Sequence, residues 1–403
     1  MKNYKGIGVK VSLAGLLFGF DTMVISGVDI PLQDLWNTSD FFHGSVVMAM
    51  ALWGTVVGAI FGGIPTHRIG RKKTLIAIGV LYLISAIGSA LSNDPITFAF
   101  FRFIGGLGVG ASTIAAPAYI AEISPDHKRG KMVGLYQFSI VFGILLAVAS
   151  NYLIVKTFGQ AWRFMLAAEV FPAAVFLWAT FTIPFSPKWK TAIRNESTQA
   201  ELVQGLLSIK YRRLVYLAFW IAFFNQFSGI NAVLYYAPRI FEEAGLASES
   251  AFLSTVGIGC VNLVFTLLGM FMIDRIGRKT LLKWGSIGYI FSLILTAFSF
   301  KMNLQPEIIV GLIFLFIASH AIGQGAVIWV FLAEIFPTSI RASGQSFGSS
   351  IHWVLAAIIP SSIPFLFNNV GPFWVFLAFG ALMCAQLFWV YFWVPETKGK
   401  ALD

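Results

Sequence analysis

Twelve apolar runs, separated by short polar breaks, take up most of this 403-residue chain. A bilayer's hydrocarbon core is about 30 Å thick, and each helical crossing needs about 20 mostly apolar residues. The runs fall near 7-28, 44-66, 74-92, 96-121, 130-155, 163-184, 213-240, 251-273, 280-300, 306-336, 342-368 and 372-394. Such a pattern argues against a soluble enzyme, and the composition agrees. Hydrophobic residues make up 57% and charged residues 11%, with a mean hydropathy of +0.79, whereas soluble domains are about a quarter charged. The formal charge of +10 could suggest nucleic acid, but basic residues diluted among apolar runs fit membrane topology better. The first run follows Lys2, Lys5 and Lys10 and opens like a secretion signal. It is too long for one and leads straight into further runs, so it is expected to be retained. Cys260 and Cys384 both lie inside apolar runs, which supports neither a disulfide framework nor a cysteine metal site.

Counting Lys and Arg by loop gives the orientation, because cytoplasmic loops are enriched in them. Of 28 such residues, all but Arg102, Lys156, Arg163, Arg239 and Lys301 fall on one side. Both termini are therefore expected in the cytoplasm and the number of spans to be even. The chain also repeats itself. His67-Arg68-Ile69-Gly70-Arg71-Lys72 returns as Asp274-Arg275-Ile276-Gly277-Arg278-Lys279, 207 residues later (274 − 67), after the second span of each half. Ala121-Glu122-Ile123-Ser124-Pro125 with Arg129 returns as Ala333-Glu334-Ile335-Phe336-Pro337 with Arg341, at an offset of 212 (334 − 122). The expected fold is an all-α membrane protein of twelve transmembrane helices in two pseudo-symmetric six-helix bundles. The bundles would cover residues 1-184 and 213-403, joined by a cytoplasmic linker over 185-212. Leu202, Leu206 and Ile209 recur there at helical spacing, which predicts a short amphipathic helix. Two such halves place a substrate site between them near the midplane.

Gly105 to Gly110 superficially resembles a phosphate-binding loop, but it lies within an apolar span rather than between a strand and a helix. Small residues at this spacing let helices approach closely, and Gly54, Gly58 and Gly62 form a similar ridge on the second span. No nucleophile has a base beside it, so no enzymatic chemistry is indicated. Charges at membrane depth are functional candidates. Asp21, Arg102 and Glu169 each fall roughly 9 Å below the outer face at about 1.5 Å per residue, which predicts one ionic cluster. Burial and a neighbouring guanidinium pull a carboxyl's proton affinity in opposite directions, so such a group can exchange a proton. The bland alternative is a permanent salt bridge. On the seventh span, Asn225, Gln226 and Asn231 flank Gly229, a weak point in the helix, and supply donors and acceptors for a polyhydroxy ligand.

The chain resembles the sugar porters of the major facilitator superfamily over nearly its whole length. The resemblance rests on Gly15-Leu16-Leu17-Phe18-Gly19-Phe20-Asp21-Thr22, Arg102-Phe103-Ile104-Gly105-Gly106-Leu107-Gly108, Asn225 to Asn231 leading to Tyr235-Tyr236, and Pro395-Glu396-Thr397-Lys398-Gly399. It implies proton coupling at Asp21 with Arg102 as its partner, and Glu169 joins them as a coupling candidate by its depth in the span. It implies sugar contacts from Gln137, Asn225, Gln226, Asn231, Asn262, Trp329 and Trp353, with Phe18 a weaker candidate. His352 stands where an amide often contacts sugar. An imidazole there can still donate one bond and accept one. Ala326 follows Gly325 where many members have proline, so the tenth span should bend less. The linker is shorter than the family's usual cytoplasmic module.

A cytoplasmic charge network that gates the transporter is implied at His67, Arg68, Arg71, Glu122, Arg129, Asp274, Arg275, Arg278, Glu334 and Arg341. Two positions depart from it. His67 replaces the acidic residue kept as Asp274, and Phe185 replaces a glutamate. Losing both carboxylates should weaken closure of the cytoplasmic side and favour an inward-open state. The expected function is import of a monosaccharide or a cyclitol across the cell membrane by proton symport through alternating access, by a monomer, with no metal or organic cofactor and no nucleic-acid partner. An uncoupled facilitator and a non-transporting sugar sensor are the alternatives. The chain ends soon after its last span, which counts against a sensor with a long cytosolic tail.

Overall fold

The computed structural model describes residues 4–125, 128–186, 208–337 and 340–399. The linker segment with Leu202 and Leu206 lies outside them, while Ile209 is described and exposed in a short turn of 3-10 helix, Ile209–Tyr211. Among the described residues every regular element is helical. Eleven helices or helix pairs are long and apolar enough to cross a membrane. They are Tyr4–Gly27, Arg71–Leu91, Pro95–Ile123, Arg129–Phe158, Trp162–Thr182, Ile209–Tyr235, Ser248–Ile276, Arg278–Lys301, Pro306–Ile335, Ser343–Asn369 and Pro372–Phe392. Asp40–Met48 and Met50–Phe61 complete a twelfth span, bent by 41°. The bend follows a π-helical stretch, His43–Met48, whose wider turn breaks the regular hydrogen-bond ladder. Counted in chain order, these are spans one to twelve, with Asp40–Phe61 the second.

The chain divides into two compact units, residues 1–196 with 248–259 and residues 197–247 with 260–403. In the first unit span one packs along span five, and span four packs against spans two and three. Helices in lipid gain little from hydrophobicity against each other, so close packing of small residues has to hold them. The glycine ridges supply it. A Cβ on Gly54 would overlap the Phe103 carbonyl, and one on Gly106 would overlap that of Ala51. The phosphate-loop look-alike is thus a seam between spans two and four. In the second unit span nine packs along span twelve and span seven along span eleven.

Span boundaries follow local chemistry. Gly70 and Gly277, which are repeat mates, both take positive φ (91° and 101°) at the tight turns before spans three and nine, a conformation that costs glycine little. Asp94 caps span four by accepting from the Ile96 and Thr97 amides (3.1 and 2.9 Å), with Pro95 in the first turn. The Thr97 side chain, and then the Thr97 and Ile96 amides, hold the exposed Asp94 carboxyl below the usual carboxylate range. Span seven breaks where the sequence suggested: Gly229 has φ 84° and separates Arg212–Phe227 from Ile230–Tyr235. In span ten a π-turn, Ala321–Gly325, runs into Ala326–Ile335 without interruption.

Candidate functional site

Three groups of polar side chains are built into the bundles. The first lies inside the first unit, where spans one, four and six bring Asp21, Arg102 and Glu169 together, each 1% exposed. Arg102 Nη1 donates to Asp21 Oδ1 (2.5 Å), and Nη2 donates to the Asp21 carbonyl (2.9 Å) and to Oδ2 (3.4 Å). The Glu169 carboxyl lies within hydrogen-bond reach of the Asp21 carboxyl. Tyr82 of span three is fully buried in the same unit. Two carboxyls thus face one guanidinium, and at low dielectric a second negative charge there has no counter-charge. The site can hold a proton.

The second group lies in the second unit, around the break in span seven. Asn231 Nδ2 donates to Gln226 Oε1 (2.7 Å), and Gln226 Nε2 donates to Asn225 Oδ1 (3.0 Å). Gln226 Nε2 also reaches the His352 ring at 3.2 Å. Because this amide nitrogen only donates, the ring nitrogen it meets accepts. His352 packs edge-on against Trp329 (4.9 Å between centroids) and Trp353 (5.0 Å). Trp353 is buried and Trp329 is 38% exposed. Amides beside indole faces can bind a ligand with polar edges and an apolar face.

Three other sequence candidates lie on other spans. Asn262 Oδ1 accepts from Thr266 Oγ1 one turn on in its own helix (3.4 Å), and Gln137 is half-buried on span five, in the first unit. Phe18 is half-buried on span one. In the second unit Tyr289 of span nine bonds His320 Nδ1 of span ten (2.5 Å).

The third group is the charge network repeated in the two halves. Arg71 Nε donates to Glu122 Oε1 (2.8 Å) and Nη1 to the Thr66 carbonyl (3.1 Å), while the Ser186 hydroxyl donates to Glu122 Oε2. In the second half, Arg278 Nε and Nη2 donate to Glu334 (2.9 and 2.7 Å), Nη1 donates to the Ile273 carbonyl (2.9 Å) and Thr397 Oγ1 donates to Glu334 Oε2 (2.6 Å). Asp274 adds an ion pair to Arg278 at 3.0 Å. Its mate His67 and the neighbouring Arg68 are exposed. Arg341 Nε donates to the Phe336 carbonyl (3.2 Å), Arg275 lies over the Phe271 ring (3.9 Å), and Arg129 opens span five. Ser186 and Thr397 were missed as network members, although Pro184-Phe185-Ser186 and Pro395-Glu396-Thr397 repeat at an offset of 211 (395 − 184).

Glu396 completes the second copy only. Its carboxylate accepts from the backbone amides of Arg278 (3.0 Å), Lys279 (3.1 Å), Thr397 (3.0 Å) and Lys398 (2.9 Å). Partial burial pushes this carboxyl up, and the four amides outweigh that and hold it below its ordinary range. In the first copy Phe185 takes its place, with Lys72 over its ring at 5.1 Å.

Comparison with known proteins adds the family. The family model described as "Sugar (and other) transporter" matches residues 8–205 and 193–403. The D-xylose-proton symporter of Escherichia coli (strain K12) is 34% identical over 98% of this chain and 94% of its own length. The arabinose-proton symporter of Bacillus subtilis (strain 168) is 31% identical over 98% and 93%. Among solved structures, the E. coli xylose transporter in a partially occluded inward-open conformation superimposes with a TM-score of 0.86 at 30% identity, covering all of both chains. The repeated motifs, the helical bundles and these relatives place the chain in the sugar transporter family of the major facilitator superfamily.

Proposed function

We propose that the protein imports a monosaccharide or cyclitol across the cell membrane by proton symport, through alternating access and with both termini in the cytoplasm. The observation that carries the coupling is the buried cluster in which Arg102 holds Asp21 and Glu169 stands within hydrogen-bond reach of it. One guanidinium balances one carboxylate, so the second carboxyl is neutral only when it carries a proton. Proton arrival and departure then change the charge of the cluster, and with it the strength of the Arg102 bonds that join spans one and four. Asn225, Gln226, Asn231, His352, Trp329 and Trp353 would contact the sugar in the second unit, as would Asn262, and Gln137 is the sugar-contact candidate of the first unit. The relatives named as proton symporters of xylose and arabinose support the coupling and the substrate class.

The rival is an uncoupled facilitator. It draws on Arg102 gripping both the side chain and the backbone of Asp21, as a structural brace would. Transport into proteoliposomes separates the two. Asp21→Asn should abolish accumulation driven by a pH gradient and leave counterflow largely intact, because pure exchange needs no net proton movement. Undiminished gradient-driven accumulation in this variant would remove Asp21 from the coupling, and no accumulation by the wild type would establish the facilitator.

A further inference from the structure

Span three carries two serines that the function above does not use. Ser85 and Ser89 are 0% and 1% exposed, and their i, i+4 spacing puts them on one face of the helix. A buried helical serine ordinarily turns its hydroxyl back to a carbonyl of the preceding turn. Ser92 does so to Gly88 (2.7 Å), and Ser292, the repeat mate of Ser85, does so to its own Gly288 (2.7 Å). Ser85 Oγ and Ser89 Oγ do not, and neither has a hydrogen-bond partner among the described residues. The same holds for Glu169 Oε1 and for Asn151 Oδ1, both on side chains 1% exposed.

These atoms share one region. A Cβ on Gly105 would overlap Ser85 Oγ and come within 3.3 Å of Asp21 Oδ1, so Ser85 packs directly against Gly105 with its hydroxyl close to the carboxylate. Asn151 Nδ2 donates to the Val24 carbonyl (3.1 Å), about one turn beyond Asp21 on span one. The helix ends two residues past Ser89 at Leu91, and beyond it exposed Asn93 accepts through Oδ1 from Arg163 Nη2 (3.0 Å). From Ser85 to Leu91 is about 9 Å along the helix. Buried polar atoms without protein partners are satisfied by ordered water where the site is polar and has room.

We propose that the unpartnered hydroxyls of Ser85 and Ser89 line a water-filled path that carries protons between the Asp21–Arg102–Glu169 cluster and the Leu91 end of span three. The ligand is water and the cargo a proton, and the proposal rests on reading the cluster as the coupling site. In each hop an oxygen lone pair takes a proton from the preceding hydronium or hydroxyl while that oxygen's other O–H proton passes onward. The last hop places one proton on a Glu169 or Asp21 carboxyl oxygen. Each serine ends with the single hydroxyl proton it began with, so no oxidant or further reactant enters.

The full chain in proteoliposomes with an internal pH dye tests this. Ser85→Val and Ser89→Val should each slow sugar-driven proton entry at least tenfold, while sugar affinity by calorimetry and counterflow stay within twofold of wild type. Ser89→Ala, which leaves room for water, should stay within threefold. Wild-type proton entry in both valine variants overturns the path, and if Asp21→Asn still abolishes accumulation in the same assay, the coupling reading survives alone. Should a valine variant also lose sugar binding, thiol labelling decides. In a Cys260→Ser, Cys384→Ser background, Ser89→Cys should react with a small hydrophilic thiol reagent while exposed, lipid-side Ile84→Cys does not. An unreactive Ser89→Cys overturns the path.

Discussion

In the first half of the chain Arg71 bonds Glu122 and Ser186 closes the far side of that carboxylate; in the second half Arg278, Glu334 and Thr397 do the same. The bond set is inherited, but its surroundings differ. Glu396 and Asp274 bring two carboxylates to Arg278 and to the start of span nine, while Phe185 and His67 bring none to the corresponding start of span three. A carboxylate at a helix N-terminus accepts otherwise unpaired amides and complements the helix dipole. The second copy is therefore the better tied.

The interiors diverge further. Tyr82 and Tyr289 are mates at an offset of 207 (289 − 82). Tyr82 is fully buried in the half that carries Asp21 and Glu169, whereas Tyr289 bonds His320 in the half that carries the amides and indoles. A duplicated scaffold fixes where side chains stand, and later substitution decides what they do. Charge chemistry was built into one half and neutral polar chemistry into the other.

The largest expected effect tests that division. Arg102→Ala leaves a buried carboxylate without its counter-charge and should lower unfolding stability by about 3–5 kcal/mol, read by thermal unfolding in detergent. Tyr289→Phe, which breaks a neutral bond at the mate position, should cost about 1 kcal/mol. Equal losses would break the contrast.

Next, Gln226→Ala should weaken sugar binding by roughly 1–3 kcal/mol, because the partners of this central amide are left unpaired in a desolvated site. Calorimetry should show the loss there and little change in Glu122→Gln; unchanged affinity in Gln226→Ala would place the sugar site elsewhere.

The asymmetry between the two copies of the charge network sharpens the comparison at smaller scale. Phe185→Glu should gain about 0.3–1 kcal/mol by rebuilding the cap, and Glu396→Gln should lose a similar amount. The Glu396 carboxyl is held below its ordinary range in the folded protein. Its contribution is therefore present above the ordinary carboxylate pKa, about 4.3, and is lost as pH falls through the lower folded value. Unfolding followed from pH 7 to pH 3 should show the wild type losing this increment and Glu396→Gln showing no such loss. Identical pH profiles would remove Glu396 from the account. The smallest effect is His67→Asp, at an exposed position whose repeat mate is Asp274, expected to gain about 0–1 kcal/mol and to fade in high salt.

Twelve spans were legible because a bilayer demands about 20 apolar residues for each crossing, so the pattern is written in consecutive residues. The Asp21–Arg102–Glu169 cluster was legible from depth alone, since rise per residue converts position in a run into height. Which oxygen meets which nitrogen was not, because helix rotation is set by neighbouring helices. The roles of Ser186 and Thr397 went unread for a related reason: a lone hydroxyl gives no periodicity, and its carboxylate partner is more than 60 residues away. The unpartnered hydroxyls of Ser85 and Ser89 were likewise invisible, as serine in an apolar run ordinarily bonds its own backbone.

By itself the sequence determined the membrane class, the two-fold repeat, the break at Gly229 and the level of the buried charges, because each depends on local hydropathy, spacing or backbone freedom. Only the tertiary structure decided that Arg102 grips the Asp21 backbone as well as its carboxyl, that Gln226 ties Asn225, Asn231 and His352 into one group, and that Glu396 rather than Phe185 caps a helix. Those are contacts between residues far apart in the chain, and their geometry is fixed by how whole helices pack.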